Sequence, residues 1–491
     1  MAFRPGTCAV ILLALGGIVS RGARADSWPG HPTATTYTGR PPAAAQGSTP
    51  EPADPRFATR IVRRLPPVRA ESPAASLARG GDRSETLDEA WSTALAVNQK
   101  LEAERWEVSA ADHSLRSAQA MRWPALSVEG SYVARDAEPA FHFDFPGIPL
   151  ATDTFPYAQD ESFAFRTKVD LPLYTSGRIQ HGIAAADARL SSAQFGLEQS
   201  EMDLRLRVAE DYVTVLRARR EVELAESTVK SLEAHLRDVK LLFKYDQVPV
   251  NDLLAAQVSL ADARQSAIQV RNQLDAGSAA YNRRLGRPLD SPVHIAELEA
   301  GAVAEDLESL TAGALQKRPA LTRLKAQARA LDHQAQSVVA ENRPQIELRG
   351  EHAFEENRFR SPEGITSVGV GLSWNVLDFG RNRHEAAAVS DKAESARRFQ
   401  AELESVIALE VRRAWLHVEE TRRRREVTAE AVQQAEENLR VVRERYNSGM
   451  GIHTEVLDAE KLRTQAYRNH DNATYDAVLA VLRLRHAAGE L

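Results

Sequence analysis

Three acids at the starts of long helical stretches are the side chains best placed to act together. Asp252, Glu455 and Asp458 each open or follow the first turn of a predicted helix. Asn251 precedes Asp252 and Thr454 precedes Glu455, so each pair reads as a capping residue followed by an acid at the first helical position. Such a cap contributes about 0.5–2 kcal/mol, and an acid in the first turn complements the helix dipole. That accounts for the acids without any proton or metal chemistry. The 13 histidines are scattered; His142 near Asp144 is the one grouping a metal could touch, and an ordinary loop residue is the simpler reading. With a single cysteine, Cys8, neither an intrachain disulfide nor a multi-cysteine metal site can form. There is no phosphate-cradling glycine loop, nucleophile elbow or zinc signature. The run Arg422 to Arg425 reads as a solvated helix face or groove patch rather than a nucleic-acid site. The residues therefore point to a protein that is not an enzyme and needs no cofactor or metal.

Composition agrees. Of 491 residues, 62 are Lys or Arg and 68 are Asp or Glu, a net charge of -6, so no basic excess suggests a nucleic-acid partner. The apolar fraction, 43%, is rich in Ala, Leu and Val, which suits helices. Residues 1–25 read as a signal peptide: Arg4, an apolar run from Cys8 to Val19, and a small-x-small site at Ala23-Arg24-Ala25. The mature chain is expected to begin near Asp26, outside the cytoplasm. Residues 26–82, with Pro41-Pro42, Pro50-Glu51-Pro52 and Pro66-Pro67, read as a disordered Pro-rich extension. No later segment reaches the roughly 20 apolar residues of a transmembrane helix, so any membrane-spanning part must be a β-barrel.

The elements come in a repeating order. Thr86 to Glu89 forms a capping box, and the run to about Arg122 predicts one helix, ended by Trp123-Pro124. Two strands follow, with Leu126, Val128, Gly130 and Tyr132 alternating against Ser127, Glu129 and Ser131, then Phe163 to Leu173 alternating against Arg166, Lys168 and Asp170. Between them lies an irregular aromatic and proline-rich segment. Gly177 supplies a flexible turn into one continuous helix from Arg178 to Leu242, whose later part carries a heptad seam at Val222, Ala225, Val229, Leu232, Leu236, Val239 and Phe243. After a turn at Tyr245 to Val250, a second helix runs from Asp252 to Leu285 and ends at Gly286. The same order recurs with a helix from Leu310 to Asn342, strands at Ile346 to His352 and Val368 to Val376, and a turn at Gly380 into two more long helices. Pro344 follows Pro124 by 344 − 124 = 220 residues, whereas Gly380 follows Gly177 and Leu457 follows Leu254 by 203, so the difference falls in the strand-to-strand loop. Residues 83–290 and 310–491 are read as two repeats joined by a linker at 291–309. Four strands cannot close a barrel, but three copies supply twelve. Val370, Leu372 and Trp374 would then face lipid, and Glu129, Arg166, Lys168, Glu347 and Arg349 a wet lumen.

These motifs carry a resemblance. Leu171-Pro172-Leu173-Tyr174-Thr175-Ser176-Gly177-Arg178, its counterpart Trp374 to Arg381, and Tyr446-Asn447-Ser448-Gly449 followed by Glu455 to Glu460 resemble the TolC-like outer-membrane efflux family, over about Thr86 to the C-terminus. The resemblance implies an α+β membrane protein: a homotrimer whose 12-stranded outer-membrane barrel, four strands per protomer, continues into a long α-helical coiled-coil barrel in the periplasm of a Gram-negative bacterium. A periplasmic adaptor and an inner-membrane transporter would dock at the far end, for efflux or type I secretion. It places an acidic ring at the periplasmic entrance on Glu455 and Asp458, and a gate on Tyr446 and Asp252. The family's gate arginine falls on Gly451, with Arg445 or His453 as substitutes. Adaptor contacts fall on Tyr245, Asp246 and Gln247 in the first tip and Ser448, Gly449 and Met450 in the second. The competing reading is a periplasmic coiled-coil adaptor or scaffold, which would carry one hairpin rather than two. The cargo is not legible.

Overall fold

A computed structural model describes residues 84–143, 154–303 and 305–491. The expected signal peptide, the Pro-rich extension and Asp144 lie outside the described residues. The described residues are mostly helical, with a four-stranded sheet and a separate two-stranded one. Its elements run α1 (Leu87–Val97), α2 (Gln99–Ala120), β1 (Ala125–Ala134), β2 (Ala140–His142), β3 (Thr154–Pro156), β4 (Glu161–Tyr174), α3 (Arg178–Lys244) and α4 (Val250–Arg284). They continue with α5 (Leu307–Lys317), α6 (Pro319–Glu341), β5 (Gln345–Glu355), β6 (Gly364–Ser373), α7 (Arg381–Asn447) and α8 (His453–Ala488). No helix among the described residues is long and apolar enough to cross a membrane.

Two expected single helices are each divided. Asn98 takes an extended backbone, closing α1 and capping α2 by accepting from Leu101 N at 3.1 Å. Arg318 also takes an extended backbone between α5 and α6, without a side-chain cap, because Pro319 behind it disfavours the helical conformation while itself suiting a first helical turn. The capping box at Thr86 and Glu89 forms in full. The long helices α3 and α7 have 67 residues each, about 100 Å at the usual rise.

The sheet runs β1-β4-β5-β6, antiparallel throughout, and β2 pairs with β3 as a separate hairpin. Its register brings Leu126 opposite Val169, Val169 opposite Gly350, and Gly350 opposite Val368, so apolar residues share one face. On the other face Lys168 stands between Ser127 and Glu351, and Asp170 opposite Arg349. Pro172 coincides with a register shift near the end of β4, where the missing donor is tolerated.

Three apolar clusters hold the helices. One joins α1, α3, the end of α4 and α8 around Tyr212, Tyr281, Leu285 and Ile295; a second joins α5, α7 and α8 around Ile407, Val411 and Leu484. The third lies at the hairpin tips, where Leu232, Leu236 and Val239 of α3 meet Leu260 of α4, Tyr446 of α7 and Val456 of α8. The heptad seam ends at the partly buried Leu242, and Phe243, expected on it, is exposed. Residues 293–300 pack onto the first cluster through Ile295, with Val293 and Leu298 beside it. Glu85 clamps this junction: Arg287 bonds both carboxylate oxygens at 2.6 and 2.9 Å, and Tyr281 donates to one at 3.0 Å. Burial in this clamp pushes the Tyr212 phenol up to about 12.

Candidate functional site

The two hairpin turns close in the same way. Gln247 N donates to Leu242 O at 3.0 Å, and Met450 N donates to Arg445 O at 2.9 Å, the six-to-one bond that ends a helix with a left-handed residue. That residue is Asp246 (φ 52) in the first turn and Gly449 (φ 74) in the second. Tyr245, Asp246, Gln247, Ser448 and Met450 are all exposed. The helices after the turns start one residue or more before the acids: Pro249 and Ile452 are the capping positions, and neither makes a side-chain cap. Asn251 and Thr454 therefore lie inside the first turns, not at the caps. Proline at position 249 and the extended Ile452 start each helix earlier than the polar residues suggested.

Glu455 and Asp458 stand a turn apart on α8. Arg445 Nη1 approaches Glu455 Oε2, a buried oxygen without a hydrogen bond, at 4.0 Å, and Lys461 Nζ approaches Asp458 Oδ1 at 3.7 Å in a loose, exposed pair of little energetic weight. Among the described residues no group of three ligands could hold a metal ion. The Arg422 to Arg425 run is laced to its own helix, with Arg422 pairing Glu419 at 3.2 Å and Glu426 at 3.3 Å, while Arg424 also reaches Asp476 on α8.

Tyr446 is 4% exposed and shares a cleft with Asp252, but its hydroxyl makes no hydrogen bond, so the implied Tyr446–Asp252 bond is not formed within the chain. Its ring instead packs on His235, 5.4 Å between centroids, and on His453, 6.0 Å. The two imidazoles bond directly, His235 Nε2 to His453 Nδ1 at 3.1 Å. Burial, then the charges of His453 and Arg443, pushes His235 down to about 4. Burial lowers His453 as well, against the pull of Asp252. Burial raises the Tyr446 phenol, helped by Asp252 and Asp238. Gly451 explains the absent arginine: a Cβ there would lie 3.0 Å from Tyr446 N and 3.3 Å from the Arg445 carbonyl carbon. Sequence reasoning missed His235, which sits one residue off the heptad seam and 218 residues from its partner. It also missed Glu460, 3% exposed, which binds Arg443 and Ser231 and has Arg463 Nη1 at 3.9 Å.

At the other end, the sheet separates grease from charge. Leu126, Val128, Tyr132, Val368, Val370 and Leu372 are each about three-fifths exposed or more on the apolar face. The opposite face carries an ion-pair lattice: Arg349 bonds Asp170 at 3.0 Å and Glu347, Lys168 meets Asp170 at 2.7 Å, and Arg166 meets Glu351 at 3.4 Å. Trp374 lies just beyond β6 and donates from its indole to Asn342 O at 3.1 Å. Gly177 (φ 94) and Gly380 (φ 89) turn the chain from this sheet into α3 and α7.

The family model described as outer membrane efflux protein matches residues 90–287 and 310–490. No curated protein matches the chain. Solved structures do. CusC, described in terms of folding and transmembrane channel formation, aligns at 17% identity with a TM-score of 0.71, over 82% of this chain and 92% of its own. The outer membrane protein VceC of Vibrio cholerae aligns at 17% identity and TM-score 0.69, over 82% and 96%. The outer membrane channel CmeC of Campylobacter jejuni aligns at 13% identity and TM-score 0.71, over 82% and 85%.

Proposed function

Because the chain belongs to the outer membrane efflux protein family, sited in the Gram-negative outer membrane with its helical part in the periplasm, we propose that it is the exit duct of a tripartite efflux or type I secretion system. Three protomers would close a 12-stranded barrel, each giving one four-stranded sheet, and their hairpins would build an α-helical barrel below it. Residues 83–290 and 310–491 act in this reading as two in-register repeats, with 291–309 between them and an inner-membrane pump and periplasmic adaptor as partners. The channel does no chemistry and passes what the pump delivers.

One observation carries the reading: a four-stranded sheet, greasy on its exposed face, charged on the other, and open at both edges β1 and β6. A lone sheet of that kind wastes its edge donors and acceptors and invites aggregation. Ten-residue strands tilted as in a barrel span about 25 Å, the height of an outer-membrane apolar band. Edge-to-edge closure in threes supplies the missing pairs, points Val370 and Leu372 at lipid, and turns the lattice of Arg349, Asp170 and Glu351 to water.

At the far end, three copies of Glu455 and Asp458 would ring the entrance and favour cations. Tyr446 and Asp252 sit where a gate would close, and Tyr245, Asp246, Gln247, Ser448, Gly449 and Met450 form the exposed turns an adaptor would grip. Glu455→Ala with Asp458→Ala is expected to lower cation preference in planar bilayers. Unchanged ion selectivity refutes the acidic ring, and failure of the purified protein to form trimers or conduct at all refutes the duct.

A further inference from the structure

We propose that the His235–His453 contact is a proton-released latch that holds the α7–α8 turn against α3. His235 lies on α3 in the first half of the chain, and His453 is the first residue of α8 in the second. Both are 4% exposed. Their rings are nearly parallel, 12° apart with centroids at 5.0 Å, and they meet nitrogen to nitrogen at 3.1 Å. An N–H···N bond needs one bare nitrogen. One added proton on the pair leaves the bond intact, whereas a second turns both nitrogens into donors facing one another across a buried gap. His453 Nε2 has no hydrogen-bond partner, so a charge on that ring gains no acceptor there and is favoured only by the nearby Asp252.

The surroundings decide the direction. Facing the pair are Asp252 on α4, Arg443 and Tyr446 on α7, and the positive end of α8 itself, with Asp238 of α3 acting on the Tyr446 phenol. Arg443 and the helix end oppose protonation and Asp252 favours it, while the uncharged Tyr446 ring packs against both imidazoles. The closed form therefore keeps His235 neutral down to about pH 4, while a released, solvated imidazole takes its proton near 6.5. A histidine whose folded value is depressed makes the closed form lose ground as pH falls from 6.5 towards 4. For His235 alone the released-to-closed ratio grows by up to tenfold per pH unit across that window. The latch rests on the duct reading only for its consequence, an entrance that loosens in acid.

Spin labels at Leu241→Cys on α3 and Met450→Cys in the second turn, in a Cys8→Ala background and diluted with unlabelled protein, read the latch inside one chain. As pH falls from 7.5 to 4.5, a longer-distance population is expected to grow in the otherwise unaltered chain and to stay absent in His235→Gln/His453→Gln. His453→Lys, charged throughout, is expected to show the long distance already at pH 7.5. A flat profile in the unaltered chain, an equal response in the double variant, or a short distance in His453→Lys overturns the latch. Bilayer conductance measured alongside separates the two ideas: a chain that never conducts but still changes distance keeps the latch and loses the duct.

Discussion

At the scale of single residues, the tip is governed by burial rather than by the polar residues that attract attention in the sequence. Glu460 has only the guanidinium groups and Ser231 to balance its buried charge, and Arg443 is the strongest of them. Arg443→Ala is expected to destabilise the chain by about 3 kcal/mol in thermal or denaturant unfolding, since removing one partner strands the other charge. Glu460→Gln with Arg443→Met should recover most of that loss. Gly451→Arg, which would restore the family's gate residue, is expected to fail as a repair. Its Cβ would meet the Tyr446 backbone at 3.0 Å, so overpacking of about 1–3 kcal/mol appears as a lowered melting temperature. Tyr446, His235 and His453 pack together at the tip, and Gly451 is what lets the second turn close over them.

At the scale of elements, the strand-to-helix turns are the points of least freedom. Gly177 and Gly380 both take positive φ, and each follows a residue that does the same, Ser176 (φ 52) and Phe379 (φ 54). A side chain in that region costs about 1–2 kcal/mol. Contacts rank the two: an added Cβ would lie 3.2 Å from the His181 ring at Gly177 but 3.6 Å from the His384 ring at Gly380. Gly177→Ala is therefore expected to lower the unfolding temperature more than Gly380→Ala, and the reverse order would show that the turns are not held as described. The breaks at Asn98 and Arg318-Pro319 belong to the same scale. Each folds a short helix onto the bundle core, α1 through Leu87, Ala90 and Ala94 and α5 through Leu310 and Ala314. Pro319 was visible as a helix stop, although the helix expected from Leu310 to Asn342 runs through it. Asn98 was not, because asparagine within a helical run is unremarkable until its side chain is seen to bond Leu101 N.

At the scale of the whole molecule, the sheet keeps two unpaired edges among the described residues, β1 and β6, and an apolar face exposed. Val370 is 67% exposed, so a soluble protein would lose almost nothing if it were charged. Within a bilayer the same change costs roughly 2–4 kcal/mol per strand near the midplane. Val370→Arg is thus expected to reduce heat-resistant trimers in outer-membrane fractions while leaving the helical content of the detergent-solubilised chain intact. Trimers as abundant as those of the unaltered chain would mean that this face does not meet lipid.

The periods of the sequence were enough for most of the architecture. Alternation by two gave the faces of β1, β4, β5 and β6, the proline-free runs gave α3 and α7, and the 203-residue and 220-residue offsets gave the order of the elements, because periodicity and helix-stopping residues act locally along the chain. What the tertiary structure alone decided is which distant residues share a dry space. His235 and His453, Glu85 with Arg287 and Tyr281, and Glu460 with Arg443 carry no spacing signal, since each partnership is made when separate helices pack and water leaves. The energies that matter there, desolvation and the pairing that offsets it, exist only once that packing has occurred.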